Sequence, residues 1–196
     1  NFELIIVSSL WENQNNLELF KKKFNIKYIK LIKEKDWTNE ISKVKYVTWE
    51  ENTAYKVPNI FHMWHSITEN INFLIEITEK KQIKFDYVIR FRTDVMCTKG
   101  LDNLKSQINK LRENEVLFPS NLHWRGLNDT FFISKYLTFI KFQEILSFIV
   151  NFIEKEKLFN PEYILYCFIN ELKFKFILIK DFNLSLIRVF DSKPTK

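Results

Sequence analysis

Hydrophobic residues recur along this chain in two rhythms, one near period two and one near 3.6, and the switches between them mark out the elements. Residues 4–7 form an apolar run that predicts a strand, and residues 28–32 a second strand with alternating lysines. Between them, residues 17–24 carry a short amphipathic helical pattern, while residues 36–45 show only a weak period. The best helix covers residues 59–81, where Ile60, Met63, Trp64, Ile67, Ile71, Leu74 and Ile75 share a face. Pro58 and Asn59 punctuate its start, and Lys80 and Lys81 suit the negative end of its dipole. A strand over residues 86–92 comes next, then a helix over 101–112, a short strand at 116–118 stopped by Pro119, and a strand at 130–134. Residues 136–156 read as a long helix, and Asn160-Pro161-Glu162 opens another, with asparagine as cap and proline in the first turn. Residues 174–179 and 184–190 close the chain as strands. Strands alternating with helices predict an α/β fold with a mixed, mainly parallel sheet flanked by helices, in a single domain over residues 1–196.

The strand at 86–92 is unusual in how it ends, at Asp86-Tyr87-Val88-Ile89-Arg90-Phe91-Arg92-Thr93-Asp94. Alternate side chains of a strand share a face, so Val88, Arg90, Arg92 and, with continued extension, Asp94 point together, leaving Tyr87, Ile89 and Phe91 for a core. Guanidinium groups are costly to bury without partners. The pattern therefore predicts an inner strand whose C-terminal end opens on a ligand cleft, where open α/β sheets bind their ligands. A polyanion would suit the arginines, and a divalent cation would suit Asp94. The plainer reading is an ion pair that ties two loops together.

Composition sharpens the arginines. The chain has 25 lysines but five arginines (Arg90, Arg92, Arg112, Arg125, Arg188), with one alanine and two glycines, a bias typical of an AT-rich genome. Where simple positive charge suffices, lysine serves, so a retained arginine suggests use of its planar, two-pronged fork. A hydrophobic share of 46% supports one large core, and no apolar run approaches the roughly 18 residues of a membrane span. The chain opens on a strand-like run rather than a secretory signal, and Cys97 and Cys167 make neither a disulfide framework nor a metal spacing. A reducing cytoplasm is the expected setting. Lys21-Lys22-Lys23 reads as a solvated helix face or as weak attraction to an anionic membrane surface.

Other chemistry is sparse. His62 and His65 lie three apart on the long helix, a spacing that could ligate a metal, but no third ligand is evident. With Gly100 and Gly126 as the two glycines, phosphate loops of the Walker or Rossmann kind are excluded. Asp129 stands where a loop enters an aromatic strand, within Gly126-Leu127-Asn128-Asp129-Thr130-Phe131-Phe132-Ile133-Ser134. It reads either as an acceptor-orienting carboxylate or general base or as a turn aspartate. Glu162, in a first helical turn, is favoured there by the dipole alone.

Val88-Ile89-Arg90-Phe91-Arg92-Thr93-Asp94 resembles the strand end (V/I)-x-(R/K)-x-R-x-D of bacterial surface-polysaccharide glycosyltransferases of the WavE-like and capsular type. The preceding Met- and Trp-containing helix, Pro119-Ser120, the Asn128–Ile133 segment, Pro161-Glu162 and Leu186-Ile187-Arg188 occur in similar order, over roughly residues 47–190. This resemblance implies a GT-A-like Rossmannoid fold, with an N-terminal strand missing from this chain, and a nucleotide-sugar donor. It also implies a surface glycan or lipid-linked acceptor, for capsule or lipopolysaccharide, at the inner face of the cytoplasmic membrane. Asp94 would match the last carboxylate of a DxD-type Mg²⁺ or Mn²⁺ site, although Arg92 stands where the first would be. The expected donor-binding residues are Arg90, Arg92, Asp94 and Arg188, and the expected catalytic carboxylates are Asp129 and Glu162. A reading of another class is a non-catalytic, basic and aromatic-rich binding module, either a degenerate transferase or a nucleic-acid binder. The aromatics mostly occupy core positions and lack the basic interleaving of RNA-binding sheets, so nucleic acid is the less favoured partner.

Overall fold

The computed structural model describes residues 7–11, 22, 26–44, 56–92, 94–123, 126–153 and 159–186. Arg188, Arg125, most of the expected helix at 17–24 and the outer parts of the first and last strands lie outside these residues. The chain divides into two compact units, residues 1–85 with 139–160, and residues 86–138 with 161–196.

In the first unit, β1 (Val7–Trp11) pairs in parallel with β2 (Tyr28–Ile32); β2 lies where expected, whereas β1 runs on past the strand expected at 4–7, through Ser8 and Ser9 to Trp11. A short helix, α1 (Thr38–Ile41), follows, and then the 26-residue α2 (Lys56–Lys81). The helical rhythm of α2 is apolar on one stripe, and Ile60, Phe61, Trp64, Ile67, Ile71, Leu74 and Ile77 are all buried. Trp37 stacks on Phe61 at 5.3 Å between ring centres, and Phe61 meets Phe159 at 5.8 Å. Such aromatic pairs add to the burial that holds a long helix in place. Phe142, Ile145 and Ile149 belong to the same unit and are fully buried. His65 lies edge-on to Trp37, and burial lowers its basicity.

The second unit carries β3 (Tyr87–Phe91), β4 (Val95–Lys99), α3 (Leu101–Ile108), β5 (Glu115–Phe118) and β6 (Phe131–Lys135). The expected helix at 136–156 is broken into α4 (Tyr136–Phe139), a 3-10 turn (Ile140–Glu144) and α5 (Ile145–Phe152). The second unit resumes with α6 (Pro161–Glu171), β7 (Lys175–Leu178) and β8 (Asn183–Leu186). Four strands form a mixed sheet in the order β3-β6-β5-β7. The β3–β6 and β6–β5 pairings are antiparallel, and β5–β7 is parallel. The fold is therefore mixed α/β, but this sheet is not mainly parallel. Among the described residues the connection from β5 to β6 carries no helix, in keeping with an antiparallel return, whereas the helix α6 precedes the parallel partner, β7.

The inner strand is also a different one. Among the described residues β3 is an edge, and β6 holds the middle. The reason lies in side-chain character. Phe131, Phe132, Ile133 and Ser134 are buried on both faces, as an inner strand requires, whereas the charge alternation of β3 suits a rim. The alternation of faces is kept, but Ile89 and Phe91, expected in the core, are not buried. Ile89 and Phe91 stand opposite Ile133 and Phe131, on the face that builds the core of Leu117, Phe131, Ile133, Ile179, Phe182 and Leu184. Their rim position leaves them 43% and 46% exposed. The ribbon β4–β8, antiparallel with a bulge between Cys97 and Lys99, is not legible from residues 95–99 alone, because its pairing partner lies 84 to 91 positions later. Among the described residues, no helix is long and apolar enough to cross a membrane.

Candidate functional site

Arg90 stands opposite Phe132 across the β3–β6 ladder, so its side chain leaves the sheet on the face away from Ile89 and Phe91. The ladder gains one more rung where the Arg92 N–H donates to the Thr130 carbonyl at 2.9 Å. There the chain turns back, with the Val95 N–H donating to the Arg92 carbonyl at 3.3 Å. This turn brings Arg92 and Asp94 face to face. Arg92 Nε donates to Asp94 Oδ1 at 2.8 Å and Nη2 donates to Oδ2, a two-pronged pair. Arg92 Nη1 also lies 3.8 Å from Asp129 Oδ2.

Asp129 is held by its neighbours. Asn128 is completely buried, and its Oδ1 accepts from the Thr130 N–H, the Thr130 hydroxyl and the Phe131 N–H, at 2.8, 2.6 and 3.1 Å. Its Nδ2 donates to the Asn121 carbonyl, and its N–H donates to His123 Nδ1. An asparagine mimicking a backbone turn thus sets the entry to β6. One residue earlier, the Leu127 N–H donates to the Glu162 carbonyl at 2.9 Å. A Cβ on Gly126 would lie 2.1 Å from that same carbonyl oxygen, so only glycine lets the loop seat on the first turn of α6.

Arg90, Arg92, Asp94, Asp129 and Glu162 thereby form one electrostatic cluster within the second unit. Burial pulls the Arg90 guanidinium down to about 10, opposed by Asp129, and its Nε is buried without a hydrogen-bond partner. Arg92, bonded to Asp94, is raised, and Asp94 is held below the usual carboxylate range by that bond. Asp129 moves the other way, because burial raises it more than the two arginines lower it. Glu162 is pushed up to about 7, by burial first and by the Asp129 charge second, and its Oε2 is buried without a partner. Carboxyls whose surroundings drive them apart in this way are the usual mark of acid–base division of labour.

The donor set does not fit a resident Mg²⁺ or Mn²⁺. Both Asp94 oxygens are engaged by Arg92, and Asp129 faces the same guanidinium. A cation there would meet two guanidinium groups before it met a free carboxylate. Among the described residues no group of three or more His, Cys, Asp or Glu side chains is placed to hold a metal.

Four of the expected donor-side and acceptor-side residues converge with Glu162, and Arg188 lies outside the described residues. Three participants were not expected: Asn128, Gly126 and His123. The signal for Gly126 was its rarity in a two-glycine chain. His123 bridges the same loop, its Nε2 lying 2.8 Å from the Pro119 carbonyl and its Nδ1 accepting from Asn128. No family model matches the chain, and no curated protein is significantly similar to it.

Proposed function

We propose that this chain is a glycosyltransferase of GT-A type that moves a sugar from a nucleotide-sugar donor to a surface-glycan acceptor, at the inner face of the cytoplasmic membrane. The observation that carries the reading is that a buried guanidinium with an unpartnered Nε, Arg90, and a carboxyl raised to about 7, Glu162, both interact with Asp129 and Arg92. Transfer from a sugar nucleotide breaks the bond between the anomeric carbon and the phosphate oxygen, and the diphosphate leaves with the electron pair. Arg90, through its unpartnered Nε, and Arg92, by releasing the half-exposed Asp94, neutralise the departing charge. An acceptor hydroxyl forms the new bond to the anomeric carbon and gives its proton to Glu162, whose affinity for protons suits a general base at neutral pH. Asp129, whose side chain is 5% exposed and faces Arg92, is assigned to sustaining the raised Glu162. The non-catalytic alternative draws on the Arg92–Asp94 pair, which is already satisfied within the chain. A thermal-shift panel of nucleotide sugars with and without Mn²⁺ tests the proposal. The wild type should be stabilised by at least one donor in either condition, and Arg90→Lys should lose that response. Turnover of that donor should fall about 10²–10⁴-fold in Glu162→Gln. A wild type indifferent to every nucleotide sugar would overturn it.

A further inference from the structure

Beside the charged cluster, on the same unit, lies a cavity of about 390 Å³ lined by His123, Gly126, Leu127, Tyr166, Phe176 and Leu178. That volume falls at the lower end of ligand pockets, which run from about 300 to 1,000 Å³. Its walls are rings and aliphatic carbons. Tyr166 packs edge-on to Phe176 at 6.2 Å and stacks with Tyr163 at 6.5 Å, yet Tyr166 and Phe176 remain 38% and 40% exposed. His123 contributes its ring, with Nε2 2.8 Å from the Pro119 carbonyl and Nδ1 accepting from the Asn128 N–H. The cavity is tied to Glu162 twice. Gly126 and Leu127 seat on the Glu162 carbonyl, and Tyr166 follows Glu162 by four positions in α6, so the two side chains share a helix face one turn apart.

We infer that this cavity is the acceptor subsite, taking the terminal pyranose ring of a glycan by stacking the ring's C–H face on Tyr166 and Phe176, with a ring hydroxyl directed to Glu162. The inference rests on the glycosyltransferase reading and names where its acceptor binds. A pyranose has an apolar face that an aromatic wall covers, and its rim of hydroxyls stays in the water at the open mouth. A nucleobase fits less well, since it needs fixed partners along its hydrogen-bonding edge and the cavity's imidazole has none to spare.

Saturation-transfer NMR on the full chain, with methyl α- and β-glycosides of glucose, galactose, mannose and N-acetylglucosamine and with UMP as comparator, tests the assignment. At least one glycoside should give signals on its ring C–H protons that fall at least fivefold in Tyr166→Ala and Phe176→Ala, each first checked for an unchanged circular dichroism spectrum. In the same variants the thermal response to nucleotide sugars should be unchanged. Glycoside signals that survive both substitutions, no glycoside signal at all, or UMP signals that vanish in them would overturn the acceptor subsite while leaving the transferase reading standing. Glycoside signals lost in the variants, from a wild type that binds no nucleotide sugar, would overturn the transferase reading and the acceptor role with it.

Discussion

At the scale of single residues, Glu162 and Asp94 are carboxyls with opposite relations to pH. Glu162 rises from an ordinary 4.5 to about 7 on folding, so the folded chain holds its proton more tightly than the unfolded chain does. Its contribution is thus favourable below about pH 4.5 and is lost as pH rises through about 7. Each pH unit of that window is worth up to about 1.4 kcal/mol, and residual solvent contact brings the total to the order of 2 kcal/mol. Glu162→Gln should therefore melt several degrees higher than wild type at pH 8 and close to it at pH 4.5, by calorimetry at the two pH values; equal shifts at both would refute the buried-carboxyl account. Asp94 behaves conversely, its bond to Arg92 stabilising the fold above the ordinary carboxylate range and fading as pH drops through its lowered value. Because the Arg92 and Asp94 side chains are 33% and 46% exposed, that pair contributes about 1 kcal/mol or less. The residue types of this cluster were legible from the sequence, since arginine is scarce here and its alternation with Asp94 is a local pattern. The raised Glu162 was not legible, because it depends on a burial and an Asp129 charge that only tertiary contact supplies.

At the scale of elements, the site hangs on one loop seated on one helix. Residues 126–131 carry Asp129 into β6 while Gly126 and Leu127 grip the first turn of α6, and the cap formed by Asn128 sets the angle between them. Adding a methyl group at Gly126 would drive it against the Glu162 carbonyl, where backbone rather than a flexible side chain must give way. Gly126→Ala should lower the melting temperature, with about 1–3 kcal/mol lost to overpacking, and should move the pH at which Glu162 titrates. Carbon-13 carboxyl NMR measures that titration directly, and an unchanged midpoint would show that the loop does not position Glu162. Helix α2 could be read from periodicity because it buries one face of its own sequence. The order of the sheet could not. A strand's neighbours are chosen by distant segments, and β3 reads locally like any half-apolar strand until the doubly buried β6 is seen to take the centre. The break of the expected helix at 136–156 has the same origin: its apolar residues satisfy a helical rhythm, and nothing local in the run announces the 3-10 turn at Ile140–Glu144.

At the scale of the whole molecule, the charge argues between a transferase and a nucleic-acid binder. Thirty basic and 24 acidic residues leave a formal charge of +6, and nearly all of the basic residues are lysines spread over the chain. A diffuse lysine field attracts polyanions by releasing counterions, and such binding collapses with salt: six to ten phosphate contacts cost about 10³–10⁵ in affinity between 50 and 200 mM. The arginine cluster is a different kind of site. Arg90 is desolvated, and Arg92 is fixed in a two-pronged pair, so a diphosphate bound there would be screened far less than one held on the surface. The affinities of UDP, GDP and dTDP, measured by titration calorimetry at 50 and 200 mM salt, should include one that falls by less than about tenfold and is abolished by Arg90→Lys. A single-stranded oligonucleotide measured alongside should bind more weakly than that nucleotide at 200 mM salt. If the oligonucleotide instead binds more tightly, loses about 10³-fold or more over the same range and ignores Arg90→Lys, then the surface lysines rather than the cluster make the principal contact. The chain would then be a basic binding module whose arginine pair only closes a turn.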